Sequence, residues 1–142
     1  MRVLIVDDSV VMRKIVESAV RRAGFDLDEV LHAENGARAL ALLEQARSID
    51  LILCDVHMPV MDGPAFLLEA SRRGLASRTP IIMVTADAGD PHLLKALAAG
   101  SVGYIEKPFT VEGIVAGISS HVAPAVRAPI PAGPFHLNGG AP

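Results

Sequence analysis

The chain has 142 residues, 51% of them hydrophobic and 20% charged, with a formal net charge of -3. That length suits one domain with an ordinary core, and the composition excludes a largely disordered chain. The acidic balance gives no support for broad nucleic-acid binding, and no run of about 18 apolar residues is present to span a membrane.

Arg2 to Val6 is a short apolar strand that stops at Asp7-Asp8. It ends too soon to be a secretory signal, so a cytoplasmic location is expected. Ser9 can cap a helix from about Val10 to Arg22, with Val11, Ile15, Ala19, Val16 and Val20 facing inward and Gly24 ending it. Val30 to Ala33 reads as a second strand. Asn35-Gly36 turns the chain into an Ala- and Leu-rich helix, Ala37 to Gln45, with Leu40 and Leu43 inward. The run Leu51 to Cys54 is strand three, and it ends in Asp55 ahead of a segment containing Pro59 and Gly63. Cys54, the single cysteine, excludes a disulfide framework and reads as a buried, inert thiol.

Pro64 suits the first turn of a helix to about Arg73, with Phe66, Leu67 and Ala70 in the core. Ile81 to Val84 is strand four, ending at Thr85. Asp87 to Asp90 is a turn, and Pro91 to Ala99 a fourth helix closed by Gly100. A short fifth strand, Gly103 to Ile105, ends at Glu106-Lys107-Pro108, and Thr110 can cap a last helix to about His121, weakened by Gly113 and Gly117. From Pro124 to Pro142 the character changes: five of the chain's 10 prolines lie there and Arg127 is the only charge. Residues 1–122 are therefore expected to form the domain, and 123–142 a Pro/Gly/Ala-rich disordered tail or the start of a truncated linker.

Strand and helix alternate five times, which argues for an α/β parallel sheet with helices on both faces. In such a sheet, sites form beyond the carboxyl ends of the strands. Those ends carry Asp7 and Asp8, Asp55, Thr85 and, near the fifth, Lys107. Three carboxylates in one pocket repel and raise one another's pKa, a conflict that a hard cation relieves. Mg2+ suits oxygen ligands and phosphate oxygens, whereas zinc would call for thiolates or clustered imidazoles. A carboxylate beside Mg2+, with an ammonium and a hydroxyl close by, has the parts for phosphoryl transfer.

The pieces VLIVDDS, DVHMPVMDG around Asp55, VTA at Val84 to Ala86 and the Lys107-Pro108 pair together resemble the response-regulator receiver domains (CheY-like) of two-component signalling. The resemblance covers residues 2 to about 121. It implies a doubly wound, flavodoxin-like five-stranded sheet of order 2-1-3-4-5. It also implies that Asp55 accepts a phosphoryl group from a sensor histidine kinase or phosphotransfer protein. Asp8, Asp55 and the backbone carbonyl of His57 would hold Mg2+, with Asp7 acting mostly through a water. Lys107 would pair with the phosphoryl group or Asp55, Thr85 would move toward that group, and Tyr104 would turn inward. A surface of helix four, strand five and helix five would change. Self-dephosphorylation comes with the family, and Pro108 would be cis.

His57, two residues after Asp55, and Asp87, two after Thr85, occupy variable family positions and are candidates for setting the phosphoryl lifetime. Helix four is apolar enough that part of Leu93, Leu94 and Leu97 is expected in a partner or dimer interface. Two other functions compete. One is a binding module of the same fold that works without phosphorylation. The other is an Asp-nucleophile hydrolase, which a second Asp close after Asp55 would support; Val56 and His57 stand there instead.

Overall fold

The computed structural model describes residues 1–45, 48–77 and 79–122; the expected tail, 123–142, lies outside the described residues. The elements are β1 (Arg2–Val6), α1 (Val10–Arg22), β2 (Glu29–Ala33), α2 (Gly36–Gln45) and β3 (Leu51–Asp55). They continue with α3 (Gly63–Arg72), β4 (Ile81–Thr85), α4 (Pro91–Ala98), β5 (Gly103–Glu106) and α5 (Val111–Ser119). The strands form one sheet in the order β2-β1-β3-β4-β5, and every neighbouring pair is parallel. This is the doubly wound, flavodoxin-like α/β fold that the resemblance implied.

The uninterrupted apolar strands are explained by a core on each face. Leu4, Val6, Ile52, Cys54, Ile81 and Met83 point to one side, where they meet Leu40, Phe66, Leu67, Ala70, Leu93 and Ala96 of α2, α3 and α4. Their sequence neighbours Val3, Ile5, Leu51, Leu53, Ile82 and Val84 point to the other, against Val16, Ala19 and Val20 of α1 and Ile114 and Ile118 of α5. Side chains alternate along a strand, so covering both faces requires an apolar residue at every position. Each large side chain buried in this way contributes roughly 1.5–3 kcal/mol.

The inward face of α1 is narrower than its sequence suggests. Val16, Ala19 and Val20 are buried, but Val11 is 67% and Ile15 45% exposed. With 3.6 residues per turn, the phase that buries 16, 19 and 20 against the sheet turns 11 and 15 outward. There they border a groove with Pro108 and Phe109. Leu43 is only half-buried but packs on the core. Of the three leucines of α4, Leu93 is fully buried, Leu97 half-buried and Leu94 exposed.

All five helices begin at the carboxyl edge of the sheet, and four of them carry a Ser, Thr or Asp cap. The oxygens of Ser9, Asp62, Asp90 and Thr110 accept from the backbone N–H groups of Met12, Ala65, His92 and Gly113. Such caps satisfy donors that helical bonding leaves free and contribute about 1 kcal/mol each. They also anchor the loops at the edge where the polar strand ends collect. The glycine at 117, which reads as a weakness of α5, has a packing purpose. A Cβ there would stand 2.7 Å from Ile105 Cγ1 on β5.

Candidate functional site

Asp55 is the last residue of β3, between the ends of β1 and β4. Its Oδ1 accepts from the Val56 N–H at 2.8 Å. Asp7 follows β1 directly, donates its N–H to the Ala33 carbonyl at 3.0 Å, and is only 4% exposed. Its Oδ1 accepts from the Ser9 N–H at 2.9 Å. Asp8, the next residue, is exposed. Each of the three carboxylates offers an oxygen within 4.8 Å of the others. Residues 48 positions apart in sequence thus share one pocket because parallel strands end on one edge.

The electrostatics of that pocket are uncompensated. Burial, and then the Asp7 charge, push the Asp55 carboxyl up to about 6; Lys107 and the Val56 N–H pull against them, and Asp8 adds to the rise. Asp7 is also raised, first by burial, with the Ser9 N–H, Lys107 and Arg13 opposing. Lys107 thus lies close enough to act on both acids. Three carboxylate oxygens converging with too little positive charge fit a hard cation such as Mg2+. Asp7, Asp8 and Asp55 are the side chains that could hold it.

The other strand ends complete the setting. Thr85 is 3% exposed at the end of β4. Its hydroxyl accepts from the Asp87 N–H and donates to the Asp87 carbonyl, both at 3.1 Å. The Lys107 N–H donates to the Thr85 carbonyl at 2.8 Å, which ties the β5 end to the β4 end. The Lys107–Pro108 bond is cis. Tyr104 on β5 lies beside Met83 in register and is 42% exposed. The Asp87 carboxylate turns to its own loop, where Oδ1 accepts from the Gly89 N–H at 2.8 Å. Cys54 is fully buried, and burial pushes its thiol well above the ordinary range, so it is unreactive as read.

The loop after Asp55 is held by close packing. The Gly63 N–H donates to the Val56 carbonyl at 2.9 Å. A Cβ at position 63 would stand 2.7 Å from the Asp55 carbonyl oxygen and 2.6 Å from Met83 Cε. Gly63 reads from sequence as a turn residue; in the fold it is the first residue of α3, pressed onto the carboxyl end of β3. Val60, at the tip of the loop, has a φ of 69°, a region that β-branched residues rarely occupy.

Sequence reasoning missed three participants. The Arg13 Nη1 donates to the Asp7 carbonyl at 2.5 Å. Arg13 lies one turn into α1, on the face that returns over the β1 end, a position that helical spacing would have flagged. His57 does not stand alone: its Nε2 is 2.5 Å from Asp90 Oδ2. Asp90 in turn contacts His92 Nδ1 at 3.3 Å. The His57 contact, then the His92 N–H, hold the Asp90 carboxyl below its usual range. Nothing in the sequence pairs residues 57 and 90; only the sheet order places their loops side by side.

A doubly wound sheet with an acidic pocket at the β1 and β3 ends, flanked by a Thr and a Lys, defines a receiver-type signalling domain. Comparison with known proteins agrees. The family model described as "Response regulator receiver domain" matches residues 3–119. A chemotaxis protein CheY homolog of Campylobacter jejuni is 38% identical over 110 residues, 78% of this chain and 83% of the relative. The chemotaxis protein CheY1 of Helicobacter pylori is 36% identical over 110 residues, 78% of this chain and 87% of that protein. Among solved structures, the Vibrio cholerae chemotaxis protein CheY4 superposes with a TM-score of 0.72 at 34% identity, covering 85% of this chain and 98% of that one. The chain belongs to the response-regulator receiver domain family, of the CheY-like kind. It is a phosphorylation-responsive regulator, and its class of partners is that of two-component signalling. Among the described residues no helix is long and apolar enough to cross a membrane.

Proposed function

We propose that Asp55 is the phosphoacceptor and that the chain works as a Mg2+-dependent receiver switched by a sensor histidine kinase or phosphotransfer protein. The observation that carries this reading is the convergence of Asp7, Asp8 and Asp55 around a carboxyl pushed up to about 6 by burial and like charge. Asp8, Asp55 and the His57 carbonyl would hold Mg2+, with Asp7 acting through a water. The ion would neutralise the carboxylates and the phosphoryl oxygens.

The chain's own residues then divide the work. An Asp55 carboxylate oxygen attacks phosphorus, forming a P–O bond as the P–N bond of a phosphohistidine breaks. The histidine nitrogen leaves with the electron pair and takes a proton from solvent. Lys107 offsets charge on the phosphoryl oxygens. Asp7, held by the Ser9 N–H and by Arg13 on its carbonyl, keeps its carboxylate aimed at the pocket. The Thr85 hydroxyl exchanges its two contacts with Asp87 for one to the phosphoryl group, and Tyr104, now exposed, turns toward the space it vacates.

The altered surface is that of α4, β5 and α5, where Leu94, Val102 and Tyr104 are exposed apolar groups available to an output protein or a second copy. His57 and Asp87, on the loops beside the centre, tune the lifetime of the phosphorylated state. Residues 1–122 act as the receiver unit and 123–142 as its tail or linker. The competing reading is a binding module of the same fold that needs no phosphoryl group, and one experiment separates the two. Incubation with acetyl phosphate and Mg2+ should add one phosphoryl group by intact-mass spectrometry, lost in D55A and after chelation of the metal. A folded wild-type protein that takes up none would overturn the proposal.

A further inference from the structure

Beside the carboxylate pocket stands a second group of potential ligands, whose side chains the phosphoryl chemistry does not use as ligands. His57 lies in the loop after β3. Asp90 caps α4, and His92 is in its first turn. One ligand atom from each lies within 4.8 Å of the others. His57 Nε2 is 2.5 Å from Asp90 Oδ2 and His92 Nδ1 is 3.3 Å from Asp90 Oδ1. The two imidazole rings meet edge to face with centroids 4.8 Å apart. One carboxylate therefore has an imidazole on each oxygen. The His57 and His92 side chains are 59% and 45% exposed, against 14% for Asp90. Ions can reach the group from solvent, while its central member is fixed.

We propose that His57, Asp90 and His92 form a second cation site, specific for a borderline transition-metal ion of the Zn2+ class, that joins the loop after β3 to the first turn of α4. The donor set decides the ion. Two imidazoles and one carboxylate suit Zn2+ and its neighbours, whereas Mg2+ prefers oxygen alone. Zinc takes nitrogen and oxygen ligands at about 2.0–2.2 Å, which puts tetrahedral neighbours roughly 3.4 Å apart. The His92–Asp90 separation already matches. The His57–Asp90 contact must open by about 1 Å, and the exposed His57 ring is free to do so. Asp90 is held in place by its cap on the His92 N–H at 2.8 Å, a hydrogen bond of the kind that orients metal-binding carboxylates. Three protein ligands leave a fourth position to water or to a ligand from a partner.

The consequence is mechanical. The ion would fasten α4 to the loop that leaves Asp55, so an input of metal and an input of phosphate would act on the same helix. The site uses the imidazole of His57, and it stands whether or not Asp55 is phosphorylated.

Zn2+ titration of the untagged full chain in excess Mg2+, read by competition with a chromophoric chelator, tests the assignment. One equivalent should bind, with affinity falling about tenfold or more in H57A and in H92A, since even outer-shell changes at metal sites cost 10–100-fold. Zn2+ should also raise the melting temperature of the wild type, and that of both variants less. Both substituted side chains are exposed, so far-ultraviolet circular dichroism should show the native fold throughout. Absence of saturable Zn2+ binding would overturn the proposal. So would binding unchanged in either His variant, or binding retained in both but lost in D8N, which would put the ion in the carboxylate pocket.

Discussion

The two edges of the sheet are built from the same residue types and end in opposite electrostatic states. At the amino edge the acids are matched. The Met1 ammonium pairs with Asp28 at 2.8 Å, Arg2 Nε with Glu29 at 2.7 Å, and the Arg2 N–H donates to Asp50 at 2.6 Å. The Met1 ammonium holds the Asp28 carboxyl below its ordinary range. At the carboxyl edge Asp7, Asp8 and Asp55 converge with the Lys107 charge as the chief opposition, and Asp55 is pushed up. The first edge has little left to gain from a ligand. The second has free energy available to a cation.

Four perturbations test the contrast, and they should fall in order of size. The largest is at Gly63, where an added methyl meets the Asp55 carbonyl oxygen and Met83. G63A should destabilise by about 2–3 kcal/mol in urea titrations, the cost of overpacking a tight site. Next is D55N in chelator. Because the folded Asp55 pKa lies above its unfolded value, its favourable contribution is complete below about pH 4 and lost as pH rises through about 6. D55N should therefore be more stable than wild type at pH 8, by about 1–3 kcal/mol, and the two should converge near pH 4. Equal stability at both pH values would break the claim of uncompensated charge.

A smaller effect is expected from metal. Millimolar Mg2+ should raise the melting temperature of the wild type by a few degrees and that of D55N less, following mass action on the native state. A equal response from both would move the cation away from Asp55. The smallest effect belongs to the amino edge. E29Q removes the Arg2 contact at a half-exposed pair and should cost less than about 1 kcal/mol, shrinking further in high salt. A larger loss there would erase the difference between the edges.

Much of this was legible in the residues. Uninterrupted runs such as Leu51 to Cys54 announce strands covered on both faces, and their abrupt stop at Asp55 marks the site edge. Ser9 and Thr110 announce their helices by capping chemistry. The errors have a common source. Val11 and Ile15 satisfy the spacing of an inward stripe, but a helix has one phase against the sheet, and contacts with Val16, Ala19 and Val20 fix it. Gly63 looks like punctuation because a sequence does not show what presses on it.

By itself the sequence determined the element order, the class of fold and the identity of the polar groups at the strand ends, because periodicity and capping act over a few residues. Tertiary structure alone decided how those groups meet: the 4.8 Å grouping of Asp7, Asp8 and Asp55, the rise in the Asp55 pKa, and the pairing of His57 with Asp90 across 33 residues. The physical reason is range. Desolvation and Coulomb interactions depend on distance through space, and that distance is set by which strands lie side by side.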